Sequence, residues 1–486
     1  MNNELLNLKP ECVWKNFVEL TKIPRPSKKE AAIIEFMKNW GIERGLETVV
    51  DEVGNVIIRK PATSGMENRK GIILQGHLDM VPQKNNDTKH DFEKDPITAY
   101  IDGDWVTAKG TTLGADNGMG VAATMAVLES KDLQHGPIEA LMTIDEETGM
   151  TGAFNLKPGI LKGDILMNLD SEDEGELYIG CAGGIDVTAT FKYKEKDAPK
   201  KSQAFKVTVT GLKGGHSGVD IPLQRGNANK IMFRFLSSVS KKYKIGLASI
   251  AGGDMRNAIP REAIAVVTVC DEDAVMFADC AKKFGEIISN EIKSVDPGFK
   301  LVIEKAEMPK AIIPGKTTKK IIKAMRVVPH GAQRYIDEAP EVPETSTNVG
   351  IVKSENGKII VANLVRSSVD SAKDALAADI ESLFELAGAK VQLHGEYPGW
   401  KPDFSSPILK AMKESYNQKY GKIPEVKIIH AGLECGVLGA TYPNWDMISF
   451  GPTIRFPHSP DEKVNIETVA KFWDFLVETL KNAPLK

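Results

Sequence analysis

Apolar residues recur at helical spacing near the start of the chain, first at Val13, Phe17 and Leu20 and then at Ile33, Ile34, Met37 and Trp40. Both stretches predict amphipathic helices, and Gly45 is placed to end the second, because glycine takes a left-handed cap without steric cost. Three short apolar runs follow, GIIL at 71–74, ALMTI at 140–144 and DILMNL at 164–169. Each is bounded by glycine or polar residues, as strands buried on both faces are. GMGVAATMAVLES at 118–130 predicts a helix between them. Strand, helix, strand predicts an α/β layer on a mostly parallel sheet.

From about residue 186 the pattern changes. FKVTVTG (205–211) and AIAVVTV (263–269) predict strands, and the segments 229–239 and 273–292 predict helices. A similar set follows: KLVIEK from 300, a helix around 317–326, KIIVANLVRSS (358–368) and a helix at 375–388. The two sets suggest a duplicated α+β unit. After about residue 396 the α/β pattern returns, with a helix near 406–418, the strand MISF at 447–450 and a last amphipathic helix at 465–481. The expected fold is α/β, with one domain split over 1–185 and 396–486 and an α+β domain inserted at 186–395.

Four apolar runs lead into residues that bind metals. GIILQ leads to His77 and Asp79, ALMTI to Asp145, Glu146 and Glu147, ILMNL to Asp170, and MISFGPTIRFP to His458. Asp116 stands just ahead of the helix at 118. In an open parallel sheet, ligands bind at the carboxyl ends of the strands, so one edge gathers all of these. Two adjacent divalent cations repel and need anionic ligands, one of them bridging. Imidazole nitrogen and carboxylate oxygen suit zinc. Asp79, two residues from His77, is placed to hold that ring's second nitrogen, and the neighbours Glu146 and Glu147 can divide general-base and ligand duties.

Composition narrows the classes. The 62 basic and 66 acidic residues give a net charge of -4, which offers nucleic acid no attractive surface. No apolar run approaches a membrane span, and the first residues, MNNELLNLKPE, lack the apolar core of a secretory signal. The five cysteines are scattered without a paired spacing, as reduced thiols in a cytoplasm are.

GHLDMV, KGTTLGADNGMGVAATMAVLE, TIDEETGMTGA and NLDSED resemble the signatures of the aminoacylase and carnosinase type of di-zinc metallopeptidase. HAGLECG (430–436) and GPTIRFPHSPDE (451–462) resemble its aminoacyl-histidine dipeptidase branch, which cleaves carnosine-like Xaa-His dipeptides. The resemblance implies two metal ions, zinc with manganese or cobalt as alternatives. His77 and Asp170 would bind one, Glu147 and His458 the other, and Asp116 both, with a cis peptide after Asp116. Asp79 would orient His77 and Glu146 would act as the general base. Within the insertion, GLKGGHSG, GGDMRNAIP and NLVRSS place His216, Asn257 and Arg366 as substrate-binding residues. His430 and Glu434 would line the pocket. The resemblance also implies a homodimer through a lid formed by the insertion, with His216 reaching the partner's site. A deacylase or carboxypeptidase on the same scaffold, or a metal-binding protein without catalysis, are the competing expectations. His90, His135, His330 and His394 match no motif.

Overall fold

The computed structural model describes residues 4–486. It falls into two compact units. The first comprises 1–180, 400–428 and 433–486, and the second 181–399 and 429–432.

The first unit is built on a sheet whose four central strands, Ile138–Thr143, Ile72–His77, Ile165–Asn168 and Asp446–Ser449, run parallel. Antiparallel strands flank them, with Val56–Lys60 and Glu47–Val50 on one side. Every position of Ile72–His77 and Ile138–Thr143 is buried, which is why these runs are apolar throughout rather than alternating. The helix Ala115–Glu129 is enclosed along almost its whole length. Small residues let it approach the sheet: a Cβ at Gly120 would lie 2.5 Å from the Leu169 carbonyl oxygen. Trp14 and Phe17 of the helix Glu11–Thr21 are fully buried. Gly45, at φ 68°, closes the helix Ala31–Glu43 as its sequence position predicts.

A second small sheet was not legible in the apolar pattern, because its strands have two to four residues. It runs Ile454–Arg455, Lys463–Asn465, Trp105–Ala108 and Ala99–Asp102. The first two pair antiparallel and present the loop that carries His458.

The second unit is a nested duplication. Its sheet has eight strands in line, with a ninth paired beside them. In order they are Lys300–Ala306, Ser202–Thr210, Ala263–Cys270, Ile245–Gly252, Ala339–Glu355, Lys358–Ser367, Gly183–Lys192 and Lys390–Tyr397. Each half follows β-α-β-β-α-β with its strands in the order 4-1-3-2, and the halves meet at their second strands, where Gly252 opposes Val352. The first half lies wholly between the first strand and first helix of the other. KLVIEK therefore closes the first half instead of opening the second, and the second half's opening strand, Gly183–Lys192, precedes everything else in the unit. Phe205, Phe233, Phe235, Phe277, Phe284 and Phe384 contribute to one apolar core under the helices.

Candidate metal centre

The parallel strands bring His77, Glu147 and Asp170 to one edge of the first unit's sheet, where Asp116 and His458 join them from the helix Ala115–Glu129 and from the loop 456–462. His77 ends its strand, and its ring is held on both nitrogens. Nδ1 lies 3.2 Å from the Asp79 carbonyl oxygen and 3.3 Å from Asp79 Oδ1. Nε2 lies 3.1 Å from Asp116 Oδ1 and 3.3 Å from Asp170 Oδ1. The second oxygen of Asp116 turns the other way, 3.1 Å from His458 Nε2, which is 2.9 Å from Glu147 Oε2. Asp116 thus divides its two oxygens between two imidazoles. Ligand atoms of His77, Asp116 and Asp170 lie within 4.8 Å of one another, and so do those of Asp116, Glu147 and His458. Glu146 joins His77 and Glu147 in a third such group. The Asp116–Asn117 peptide is cis, as the resemblance implies, and the regular helix starts at Gly118.

Asp79 is wholly buried and serves more than one neighbour. It accepts from the Ser27 hydroxyl (2.8 Å) and from the backbone N–H groups of Glu146 (3.0 Å) and Glu147 (3.3 Å). Burial opposes its charge, but the His77 and Ser27 contacts prevail and lower its pKa to about 2. Burial likewise opposes the Asp116 charge, and the hydrogen bonds of His458 and His77 keep its pKa low. The His458 imidazole is pushed up to about 11 by Asp116 and Glu147. Burial drives Asp170 to about 7 and Glu146 well above the usual carboxylate range.

Burial and neighbouring carboxylates raise Asp170 and Glu146, while imidazole contacts lower Asp79 and Asp116. The carboxylates crowd into a dry space with more negative charge than two imidazoles neutralise. Glu147 Oε1 and Asp170 Oδ1 are buried and accept no hydrogen bond. Orphaned anionic oxygens beside imidazole nitrogens suit a pair of divalent cations in donor type and in charge.

Glu434 opens the helix Glu434–Thr441 and is 1% exposed. Its Oε2 accepts from Gln75 (2.6 Å) and Thr143 (2.7 Å), while Oε1 has no partner. Burial raises it to about 7.

In the second unit His216, Arg366 and His430 gather around a glycine turn. His216 lies on the two-residue strand Gly215–His216, paired with Ala258–Ile259. Its Nδ1 accepts the N–H groups of Gly218 (3.3 Å) and Val219 (3.1 Å), so a neutral ring carries its proton on Nε2. Nε2 is 3.4 Å from the Arg366 guanidinium, whose Nη1 donates to the Tyr397 hydroxyl at 2.8 Å. His430 is buried, meets the Ser346 hydroxyl at 2.7 Å, and is pushed down to about 3 by burial and the Arg366 charge. Gly218 cannot carry a side chain, since a Cβ would collide with the His430 carbonyl oxygen. Asn257 is exposed. With Asp186, Arg256, Arg366 and Tyr397 it lines a cavity of about 430 Å³.

Sequence reasoning missed several residues of the first unit's centre. Glu462, 2% exposed, accepts four backbone N–H groups, from Leu113 through Asp116. Arg25, 3% exposed, donates to the carbonyls of Leu78, Asp79 and Gly114. Glu172 is raised to about 8 by burial and the Asp116 charge. Glu462 stands inside the quoted GPTIRFPHSPDE segment, four residues past His458, which was the available signal. Of the four histidines without a motif, His135 is wholly buried and bonds the Gly136 carbonyl oxygen, and His330 lies against Asn227.

Residues 73–482 match Peptidase family M20/M25/M40, and the chain belongs to that family, as a hydrolase of peptide bonds. Over 484 residues, spanning 100% of both chains, it is 46% identical to the cytosol non-specific dipeptidase of Escherichia coli (strain K12). It superposes on the aminoacylhistidine dipeptidase of Vibrio alginolyticus with a TM-score of 0.96 and 48% identity, covering 100% of this chain and 99% of that one. An aminopeptidase from Bacillus cereus, at 17% identity, TM-score 0.58 and coverage of 98% and 99%, shares the fold.

Proposed function

We propose that the chain is a metal-dependent dipeptidase that cleaves Xaa-His dipeptides of the carnosine type along with other small dipeptides. The observation that carries this is the pair of ligand groups sharing Asp116, in a chain alike end to end with two dipeptidases. His77 and Asp170 would hold one divalent ion, Glu147 and His458 the other, and Asp116 would give one oxygen to each. Zinc is the preferred ion, with manganese or cobalt as alternatives. When bound, such a pair lowers the pKa of a water molecule and polarises a carbonyl.

The chain's own residues do the rest. Asp79 fixes the His77 ring so that Nε2 faces the centre. Glu146, whose proton affinity burial raises, takes a proton from the attacking water and returns it to the departing nitrogen. His216 offers its Nε2–H to an oxyanion. Arg366 and Asn257 offer donors to a substrate carboxylate, for which the guanidinium fork is suited. The unpartnered oxygen of Glu434 suits an ammonium group, and His430 supports the Arg366 cluster.

A homodimer through the insertion is part of this proposal, as is a cytoplasmic setting. The latter is supported by the name of the Escherichia coli relative and by five cysteines that form no disulfide with one another. Among the described residues no helix is long and apolar enough to cross a membrane.

The test compares hydrolysis of carnosine, an α-linked Xaa-His dipeptide and N-acetyl amino acids. Each is assayed before and after chelation, with zinc, manganese or cobalt restored. Dipeptide cleavage that chelation removes and metal restores is the expected result. Preference for the N-acetyl substrates, or activity indifferent to chelation, would overturn the reading.

A further inference from the structure

The loop 113–116 carries the carboxylate shared by both ligand groups, and it is held from two sides by buried charges that bond to backbone groups, not to any candidate ligand side chain. Glu462 Oε2 accepts the N–H groups of Leu113 (2.8 Å) and Gly114 (3.0 Å), and Oε1 those of Ala115 (2.7 Å) and Asp116 (3.2 Å). These amides precede the regular helix at Gly118, so no helical carbonyl is available to them. Glu462 belongs to the loop of His458, between strands Ile454–Arg455 and Lys463–Asn465. Its own carbonyl is tied to the Thr107 hydroxyl at 2.7 Å. One side chain therefore joins the backbone of Asp116 to the loop of His458, residues far apart in sequence whose side chains meet at 3.1 Å.

Arg25 makes the corresponding link on the other side. Its Nη1 donates to the carbonyls of Leu78 (3.0 Å) and Asp79 (2.9 Å), and its Nη2 to that of Gly114 (2.5 Å). It joins the same loop to the turn after His77.

We infer that Glu462 and Arg25 are positioning residues, each setting the geometry of one metal position. Glu462 governs the Asp116–Glu147–His458 group and Arg25 the His77–Asp116–Asp170 group. The inference rests on the two-metal reading above and adds a division of labour to it. Partners that orient ligands typically change metal affinity about 10- to 100-fold when lost. Here the loss should fall on one position and spare the other, because each residue ties the shared loop to a different ligand segment. A general loss of packing would weaken both.

The experiment isolates each position before perturbing its support. Asp170→Asn leaves the Asp116–Glu147–His458 group, and Glu147→Gln leaves the His77–Asp116–Asp170 group. Metal-stripped protein is titrated with Zn²⁺ against a chromophoric chelator at pH 8. Adding Glu462→Gln, which turns an amide donor towards two backbone N–H groups, should weaken zinc about 10- to 100-fold on the Asp170→Asn background. On the Glu147→Gln background it should change zinc binding less than about threefold. Arg25→Lys, which reaches fewer carbonyls, should show the opposite pattern. Equal losses on both backgrounds, or no loss on either, would overturn the division. If Glu462→Gln does not fold by circular dichroism, Glu462→Asp, which keeps the charge on a shorter arm, enters the same comparison with the same outcomes. Failure of the wild-type protein to bind two zinc ions would instead bring down the metal-centre reading, and this inference with it.

Discussion

Replacing Asp79 by Asn tests whether one buried carboxylate supports the centre from behind. The folded protein lowers the Asp79 pKa from 3.8 to about 2, and each unit corresponds to about 1.4 kcal/mol between the two protonation states. The charged form is therefore favoured in the fold by about 2 kcal/mol. Asn keeps the shape but not the charge, and its NH₂ end cannot accept from the Glu146 or Glu147 amides. The metal-free variant should lose about 2 kcal/mol of stability near neutral pH, read as a fall of about 2 °C in melting temperature for a chain of this length. The sign with pH follows from the lowered pKa. The advantage of the wild type is complete above pH 4 and shrinks as pH falls towards 2, so the two melting curves should converge in acid. The same variant should bind zinc about 10- to 100-fold more weakly, because the His77 ring loses its outer partner. Thermal scans of metal-stripped protein across pH, with a zinc titration, measure both effects. Equal melting temperatures near pH 7, or a gap that widens in acid, would refute the reasoning.

The other predictions concern the reaction. Glu146→Gln should lower kcat about 10²- to 10⁴-fold with metal content unchanged by elemental analysis, whereas Glu147→Gln should lose metal first; near-normal kcat in Glu146→Gln would remove it as the base. If His216 acts on a partner's site, mixing His216→Ala with Glu146→Gln protein should restore activity once subunits exchange, and no recovery after proven exchange would place His216 in its own chain's service.

The candidate centre was legible because most of the residues proposed as its ligands follow apolar runs, and a sheet buried on both faces leaves polar chemistry to the strand ends. His77, Glu147, Asp170 and His458 announce themselves in that way. Arg25 and Glu462 do not, because they bond to backbone groups, and a backbone N–H or carbonyl has no letter in the sequence. Glu434 was visible only beside glycines in HAGLECG, while its partners Gln75 and Thr143 sit inside runs that read as plain strand. The inserted unit showed two sets of elements but not their nesting. Proximity in sequence assigned KLVIEK to the wrong half, since register between distant strands is decided by packing. The sheet beside His458 escaped because strands of two to four residues hold too little alternation to register a period.

The nesting has a consequence for synthesis on the ribosome. Gly183–Lys192 emerges before any strand it will pair with, for its neighbours are Lys358–Ser367 and Lys390–Tyr397. The whole of the first half is translated in the meantime and can fold on the already exposed chain. Ile165–Asn168 similarly awaits Asp446–Ser449. At about 5–20 residues per second these waits last roughly tens of seconds. Throughout them the nascent chain presents strands with open edges, so a chaperone that shelters Gly183–Lys192 and Ile165–Asn168 would protect the chain from edge-to-edge association until their partners arrive.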